Sequence, residues 1–200
     1  RLVAARGAAM DVAAQRADSG MAALIGVDEE SAQTIAATRR DEGGSLWVAN
    51  LNAPGQIVVA GGAADIAWVV EHGREVGVRR AIPLNVAGAF HSPYMSAAAD
   101  QLAGALEAAT FEPPRFPVYA NATAAPVVDV AENLAEQLVS PVRFSQSLAA
   151  MAESGIATFV HIGPGDVTAA MVKRTVPGAS IHVVSELDDI PSVAEALLVQ

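Results

Sequence analysis

Short apolar runs alternate with helical periodicity along the whole chain, and that alternation restricts the fold to the α/β class. The clearest stretch is 20–86. Residues 20–27 (GMAALIGV) read as a strand. Residues 28–40 read as a helix whose opening acidic run, Asp28, Glu29 and Glu30, suits the positive end of a helix. Residues 45–52 are strand-like, Asn52-Ala53-Pro54-Gly55 is a turn, and residues 56–61 return as the second strand of a hairpin. Ile66, Val69, Val70, Gly73 and Val76 then recur at helical spacing, and Gly77 ends that helix. Residues 78–86 make a last strand, which Pro83 places at an edge.

The order is β-α-β-β-α-β, the split pattern of ferredoxin-like units. Around it the rhythm differs. Residues 1–15 read as the middle of a helix. A helix over 93–109 puts Leu102, Leu106 and Ala109 on one face. Strand-like runs at 117–121, 158–162 and 181–184 alternate with helices near 130–138, 143–153 and 166–174, and a last helix covers 190–199. Such alternation with short connections predicts a mostly parallel sheet covered on both faces. The expected division is a body of residues 1–19 and 87–200 with residues 20–86 inserted. Because the first residue is Arg1 and already helical, the expectation is the C-terminal part of something larger.

Composition excludes several functions. Twelve basic residues against 22 acidic ones give a net charge of −10, the wrong sign for a general nucleic-acid binder. The sequence has no cysteine, so disulfides, a thiolate nucleophile and a thiolate zinc site are excluded. No apolar run approaches the ~18–20 residues of a membrane span, and no signal-peptide pattern opens the chain. A soluble, cytoplasmic protein without a membrane or nucleic-acid partner is expected.

Four histidines can be weighed. His72 lies beside Glu71 on a helix and is expected to be solvated; His161 and His182 lie in strand runs, as hydrogen-bonded structural histidines do. His91 differs, because Gly88-Ala89-Phe90-His91-Ser92-Pro93 joins a strand-and-turn segment to a helix start, with Ser92 as N-cap and Pro93 as first helical residue. There it is either a neutral base, kept so by the positive helix end, or a second capping group. Arg6 has Leu2, Val3, Ala9 and Met10 as its helical neighbours, which puts a guanidinium on the apolar face. Such a cation needs an anion, either a carboxylate of the same protein or that of a substrate. Arg79 and Arg80 read as a solvated edge doublet or a phosphate contact, and Gly163-Pro164-Gly165 as a tight turn or an anion-binding loop. The acidic stretches lack metal-ligand spacing, so no metal site is expected. There is no G-x-S-x-G elbow; if His91 is a base, its nucleophile is not in these residues.

Five motifs occur in order: Arg6-Gly7-x-x-Met10, Asn52-Ala53-Pro54-Gly55-Gln56, Ala89-Phe90-His91-Ser92-x-x-Met95, Gln137-Leu138-x-x-Pro141-Val142 and Ile162-Gly163-Pro164-Gly165. In these the chain resembles the malonyl-CoA:acyl-carrier-protein transacylases and the acyltransferase domains of polyketide synthases, over essentially its whole length. The resemblance implies an α/β-hydrolase-like body with an inserted ferredoxin-like subdomain. It implies that His91 is the catalytic histidine, that the Gln137 backbone carbonyl orients it, and that Arg6 holds the free carboxylate of a malonyl group. Arg80 corresponds to a basic residue near the CoA phosphates, and Asn52 lines the cleft between subdomains. Phe90, directly before the histidine, goes with malonyl in polyketide relatives, where Ser goes with methylmalonyl. His161 departs from the acidic residue that relatives often carry before I-G-P-G. The family's nucleophilic serine and oxyanion loop precede the position of Arg6, so both are absent here.

The implied reaction is transfer of malonyl from malonyl-CoA to the phosphopantetheine thiol of an acyl carrier protein, through a malonyl-serine and with no cofactor besides the CoA thioester substrate. Carrier proteins are usually acidic, so docking on this acidic chain requires a local basic patch drawn from Arg79, Arg80, Arg115, Arg143, Lys173 and Arg174. Two other readings remain: an acyltransferase domain of a modular polyketide synthase, and a non-catalytic α/β binding module. The helix closing the chain at Gln200 favours a stand-alone enzyme over a multidomain one.

Overall fold

A computed structural model describes residues 1–198. Helix α1 (Leu2–Ala14) precedes β1 (Ser19–Ile25), α2 (Glu29–Asp41), β2 (Leu46–Ala53), β3 (Gln56–Gly62), α3 (Ala63–His72) and β4 (Arg80–Pro83). A 3-10 turn (Pro93–Met95) then leads into α4 (Ser96–Glu107) and α5 (Val130–Glu136). The chain continues through α6 (Phe144–Glu153), β5 (Thr158–Ile162), α7 (Val167–Thr175), β6 (Ser180–Val184), a second 3-10 turn (Leu187–Asp189) and α8 (Ile190–Leu198). The expected final helix is present; Val199 and Gln200, the end of its expected span, lie outside the described residues.

The first four strands form one antiparallel sheet in the order β2-β3-β1-β4. Its strands are apolar on both faces, and the period of two sorts their side chains. Ala22, Leu24, Val48, Ile57 and Val59 point into a core shared with Ala32, Ile35 and Ala36 of α2 and with Ile66 and Val69 of α3. Met21, Ala49, Val58 and Ala60 point the other way, against Ala89, with Phe90 and Tyr94 packed beside them. The segment carrying His91 therefore forms the second cover of this sheet. Helix α2 starts where the sequence places it, because the Asp28 carboxylate accepts from Ser31 N at 2.8 Å. The buried Asp65 of α3 accepts from Arg39 Nε at 2.7 Å and from Ser45 N at 2.8 Å, so one carboxylate ties α2, α3 and the start of β2 together.

A second core joins α1 to α4 and α5 through Ala9, Ala13, Ala14, Met95, Ala98, Leu102, Leu106 and Leu138. Gly88 permits the approach: a Cβ there would lie 2.8 Å from Ala14 Cβ. Phe90 and Tyr94 belong to the borders of both this core and the sheet's outer face.

Four expectations need correction. Helix α3 ends at His72, not at Gly77, because the chain turns at Gly73 to bring Val78 (1% exposed) into the core while Val76 stays exposed. The strand expected over 78–86 shrinks to Arg80–Pro83, at the edge as Pro83 implied. Residues 117–121 do not enter a sheet. Their backbone pairs with the residues just after them, Ala120 N donating to Ala125 O at 2.9 Å and Val127 N to Val118 O at 2.8 Å. Parallel pairing is confined, among the described residues, to β5 with β6 and a single bridge between Asn50 and Val142. No helix among the described residues is long and apolar enough to cross a membrane.

Two glycines test the packing. A Cβ at Gly61 would lie 2.0 Å from Ser45 O, whereas nothing lies within 4 Å of one at Gly104 on the exposed side of α4. Gly61→Ala should destabilise the chain by about 1–3 kcal/mol, and Gly104→Ala should stabilise it by about 0.5–1 kcal/mol. Chemical denaturation of both variants checks this; equal effects would contradict the strand register.

Candidate active site

His91 sits in the crossover between the two cores. Its backbone is left-handed, φ 58°, a conformation costing a non-glycine residue about 1–2 kcal/mol. That geometry goes with a specific contact, since Nδ1 lies 3.1 Å from the backbone carbonyl of Gln137. A carbonyl only accepts, so Nδ1 carries the proton and donates, leaving Nε2 with a bare lone pair. The Gln137 side-chain Nε2 lies 3.4 Å from the same nitrogen; being a donor, it does not bond to a protonated Nδ1.

The loop bearing Gln137 is held in turn by the sheet. Leu51 N donates to Val142 O and Val142 N to Ala49 O, each at 2.8 Å. The Trp47 ring meets Tyr94 edge-on at 5.8 Å between centroids. Thus β2 anchors both the loop with the carbonyl and the turn that follows the imidazole.

Burial pushes the His91 pKa below its ordinary value of 6.5. The Gln137 carbonyl opposes that shift by favouring the protonated ring, the Arg6 cation adds to it, and the Ser140 backbone opposes it again. The neutral-base expectation therefore holds in direction, but the physical cause changes. A 3-10 turn intervenes and α4 begins only at Ser96, so desolvation takes the place expected for the helix end.

Arg6 also differs from expectation. It is half-buried on α1, which packs against the 3-10 turn after His91 and against α4. It makes no hydrogen bond or ion pair with a described residue, so none of the described Asp and Glu side chains is its partner. Its charge reaches the His91 ring electrostatically.

Phe90, half-buried, fills the seam between the two cores. Asn52 is half-buried on β2, next to the Leu51–Val142 pairing, and its side chain makes no hydrogen bond to a described residue. Arg80 stands apart. It is exposed and pairs with Ile25, six residues along β1 from Ser19, whose hydroxyl accepts from Ala89 N at 3.2 Å. Six strand residues span about 20 Å, so Arg80 is not brought to His91.

The remaining basic residues divide. Arg174 is spent on the Pro54 carbonyl and on Gln56 Oε1 at 2.7 Å. Arg143 bonds Ala122 O at 3.0 Å and faces Glu29 at 4.0 Å. Arg79, Arg80, Arg115 and Lys173 are exposed. His72 is not simply solvated, since it stacks on Trp68 at 5.8 Å and bonds the Trp68 carbonyl at 3.1 Å. His161 has both ring nitrogens engaged: Nε2 donates to Gly163 O at 3.2 Å, and Nδ1 accepts from the Thr168 hydroxyl. It staples the Gly163-Pro164-Gly165 turn to α7. Among the described residues no three His, Asp or Glu side chains gather as a metal site.

Sequence reasoning missed Ser19 and Ser140, and it named Val142 in a motif without giving it a role. Their contributions run through a hydroxyl at a strand start and through backbone groups, for which periodicity carries no signal. A cavity of about 400 Å³ lies next to the site, lined by Gln137 with Tyr119, Asn121, Asn133 and Leu134, but His91 and Arg6 are not in its wall.

The site thus joins a histidine held through Nδ1 by a backbone carbonyl to a guanidinium that no described carboxylate pairs with. The chain belongs to the acyl transferase domain family, whose model matches residues 1–193. It is 37% identical to the malonyl CoA-acyl carrier protein transacylase of Bacillus subtilis (strain 168), over 96% of this chain and 62% of that protein. It superposes on MCAT from Streptococcus pneumoniae with a TM-score of 0.90 at 34% identity, covering 98% of this chain and 64% of that one. A malonyl-transacylase solved in complex with a type II PKS acyl-carrier protein gives a TM-score of 0.92 at 31% identity, covering 98% of this chain and 64% of that one. The chain thus spans under two thirds of the length of these relatives.

Arg6→Ala removes the cation that disfavours the imidazolium, so the His91 pKa should rise. An NMR titration of the ring checks this; an unmoved or lowered midpoint would contradict the placement of Arg6.

Proposed function

We propose that the chain carries the histidine side of a malonyl-CoA:acyl-carrier-protein transacylase, and that it moves malonyl to a phosphopantetheine thiol through a malonyl-serine. One observation carries the proposal: no Asp or Glu among the described residues pairs with Arg6, whose cation acts on the buried, carbonyl-held His91 ring. The nucleophilic serine belongs to a segment outside these residues, since the sequence holds no nucleophile elbow.

In the first half-reaction the serine Oγ attacks the thioester carbonyl while His91 Nε2 takes its proton. Collapse of the tetrahedral adduct breaks the C–S bond, and the proton passes to the leaving CoA sulfur. In the second half the carrier's thiol gives its proton to Nε2, its sulfur attacks the serine ester, and the serine leaves with that proton. The Gln137 carbonyl stabilises the transient imidazolium, the role a carboxylate has in a triad. Arg6 pairs with the malonyl carboxylate. A charged hydrogen bond is worth about 1.5–3 kcal/mol, and partial exposure of the guanidinium favours the lower end. Phe90 occupies the volume that an α-methyl group needs, and rejecting one methyl by packing is worth only about 1–3 kcal/mol. A malonyl preference is real but leaky on that account.

The architecture reads as an α/β-hydrolase-like body, residues 1–19 and 87–200, with a ferredoxin-like unit at 20–86. The strand order β2-β3-β1-β4 supports the second half of that reading. Arg80, distant from His91, suits the phosphates of CoA, which the pantetheine arm separates from the thioester. The partners are malonyl-CoA and an acyl carrier protein, in the cytoplasm where CoA thioesters circulate, and the chemistry draws on no metal or cofactor. An acyltransferase domain of a polyketide synthase would use the same residues.

The test is competition among malonyl-, methylmalonyl- and acetyl-CoA, with the acyl-enzyme trapped on the serine-bearing polypeptide and read by intact mass. The parent should load malonyl first. Arg6→Ala should lose about tenfold or more in malonyl loading and discriminate less against acetyl. Unchanged loading would remove Arg6 as the carboxylate clamp, and parity between malonyl and methylmalonyl would discard the Phe90 argument. A polypeptide that loads none of the three would point to a binding module.

A further inference from the structure

The left-handed backbone of His91 is held by a side chain that the proposed chemistry does not use. Ser92 is 1% exposed, and its hydroxyl makes two bonds of unequal length. It donates to the Ala89 carbonyl at 2.6 Å and accepts from Tyr94 N at 3.3 Å. In a residue that served only as N-cap, the bond to the helical N–H would be the short one. Here the short bond runs backward across Phe90 and His91 and closes a ring around the residue at φ 58°. Ala89 is fully buried, so without that hydroxyl its carbonyl would lack a partner. Its N–H is fixed as well, by Ser19 Oγ at 3.2 Å. One end of the turn is therefore immobile, and Ser92 sets the other relative to it.

We infer that Ser92 is a positioning residue for His91: by binding the Ala89 carbonyl it keeps the His91 backbone left-handed, which aims Nδ1 at the Gln137 carbonyl and leaves Nε2 free. The inference rests on the reading of His91 as the base, but it concerns the ring's orientation and can be tested apart from it. In the released turn the backbone relaxes toward negative φ, the ring swings off Gln137, and the tautomer is no longer imposed.

The experiment labels the chain with ¹⁵N-histidine and reads the His91 tautomer from long-range ¹H–¹⁵N correlations at a pH where the ring is neutral. The parent should be the Nδ1–H form. Ser92→Ala should drift toward the Nε2–H form that free imidazole prefers, and Ser92→Thr, which keeps the hydroxyl, should restore the parent pattern. In the serine-bearing polypeptide, Ser92→Ala should lower kcat about 100-fold with KM for malonyl-CoA unchanged, because Arg6 is untouched. A Ser92→Ala chain with the parent tautomer, or with full kcat, overturns the inference. Should that variant not fold, Ser92→Cys keeps the size with weaker bonds and must shift the tautomer in the same direction; an unshifted tautomer there is equally fatal. If His91→Ala left transfer intact while Ser92→Ala still scrambled the tautomer, the base reading would fall and the Ser92 clamp would stand.

Discussion

The hydrogen bond from His91 Nδ1 to the Gln137 carbonyl, 3.1 Å long, is the contact on which the site depends. It joins segments 46 residues apart, and neither segment is held by local structure alone. The imidazole stands on a turn pressed against the outer face of the antiparallel sheet, and the carbonyl stands where α5 ends, before the chain bonds to β2 at Val142. The sheet is therefore more than a scaffold for its own core. One face buries α2 and α3, and the other seats the turn of His91 through Met21, Ala49, Val58 and Ala60.

A backbone carbonyl in place of a carboxylate has an electrostatic consequence. It fixes the tautomer without adding a negative charge, so burial and the nearby Arg6 still hold the ring below its ordinary pKa. A carboxylate at that position would favour the imidazolium and would also compete for Arg6. The chain carries a net charge of −10, yet no carboxylate among the described residues pairs with this guanidinium. Elsewhere acidic groups are used internally: Asp65 is bonded to Arg39, and Glu29 faces Arg143.

Much of this was legible in the residues. The alternation of apolar runs disclosed the β-α-β-β-α-β order, the acidic run at 28–30 disclosed the start of α2, and Pro83 disclosed an edge. His91 stood out because Ser92-Pro93 marks a helix start immediately after it. What was not legible depends on long-range geometry. The exit of the chain at Gly73 is decided by the need to bury Val78, which helical spacing through Val76 does not contain. Residues 117–121 have the composition of a strand, but Val118 and Ala120 pair within their own turn and Asn121 O accepts from Arg143 N. The left-handed φ of His91 and the 3-10 turn after it shift the cause of its low pKa from helix end to burial. Arg6 reads as buried from its neighbours along α1, yet it is only half-buried, as a long side chain with a charged head allows.

A neutron crystal structure at neutral pH locates the exchangeable hydrogens of the site. It should show deuterium on His91 Nδ1 along the line to the Gln137 carbonyl, a bare Nε2, and no carboxylate of the same chain bonded to Arg6. Deuterium on Nε2 with the ring turned from Gln137, or Arg6 closed onto an internal Asp or Glu, would contradict that arrangement.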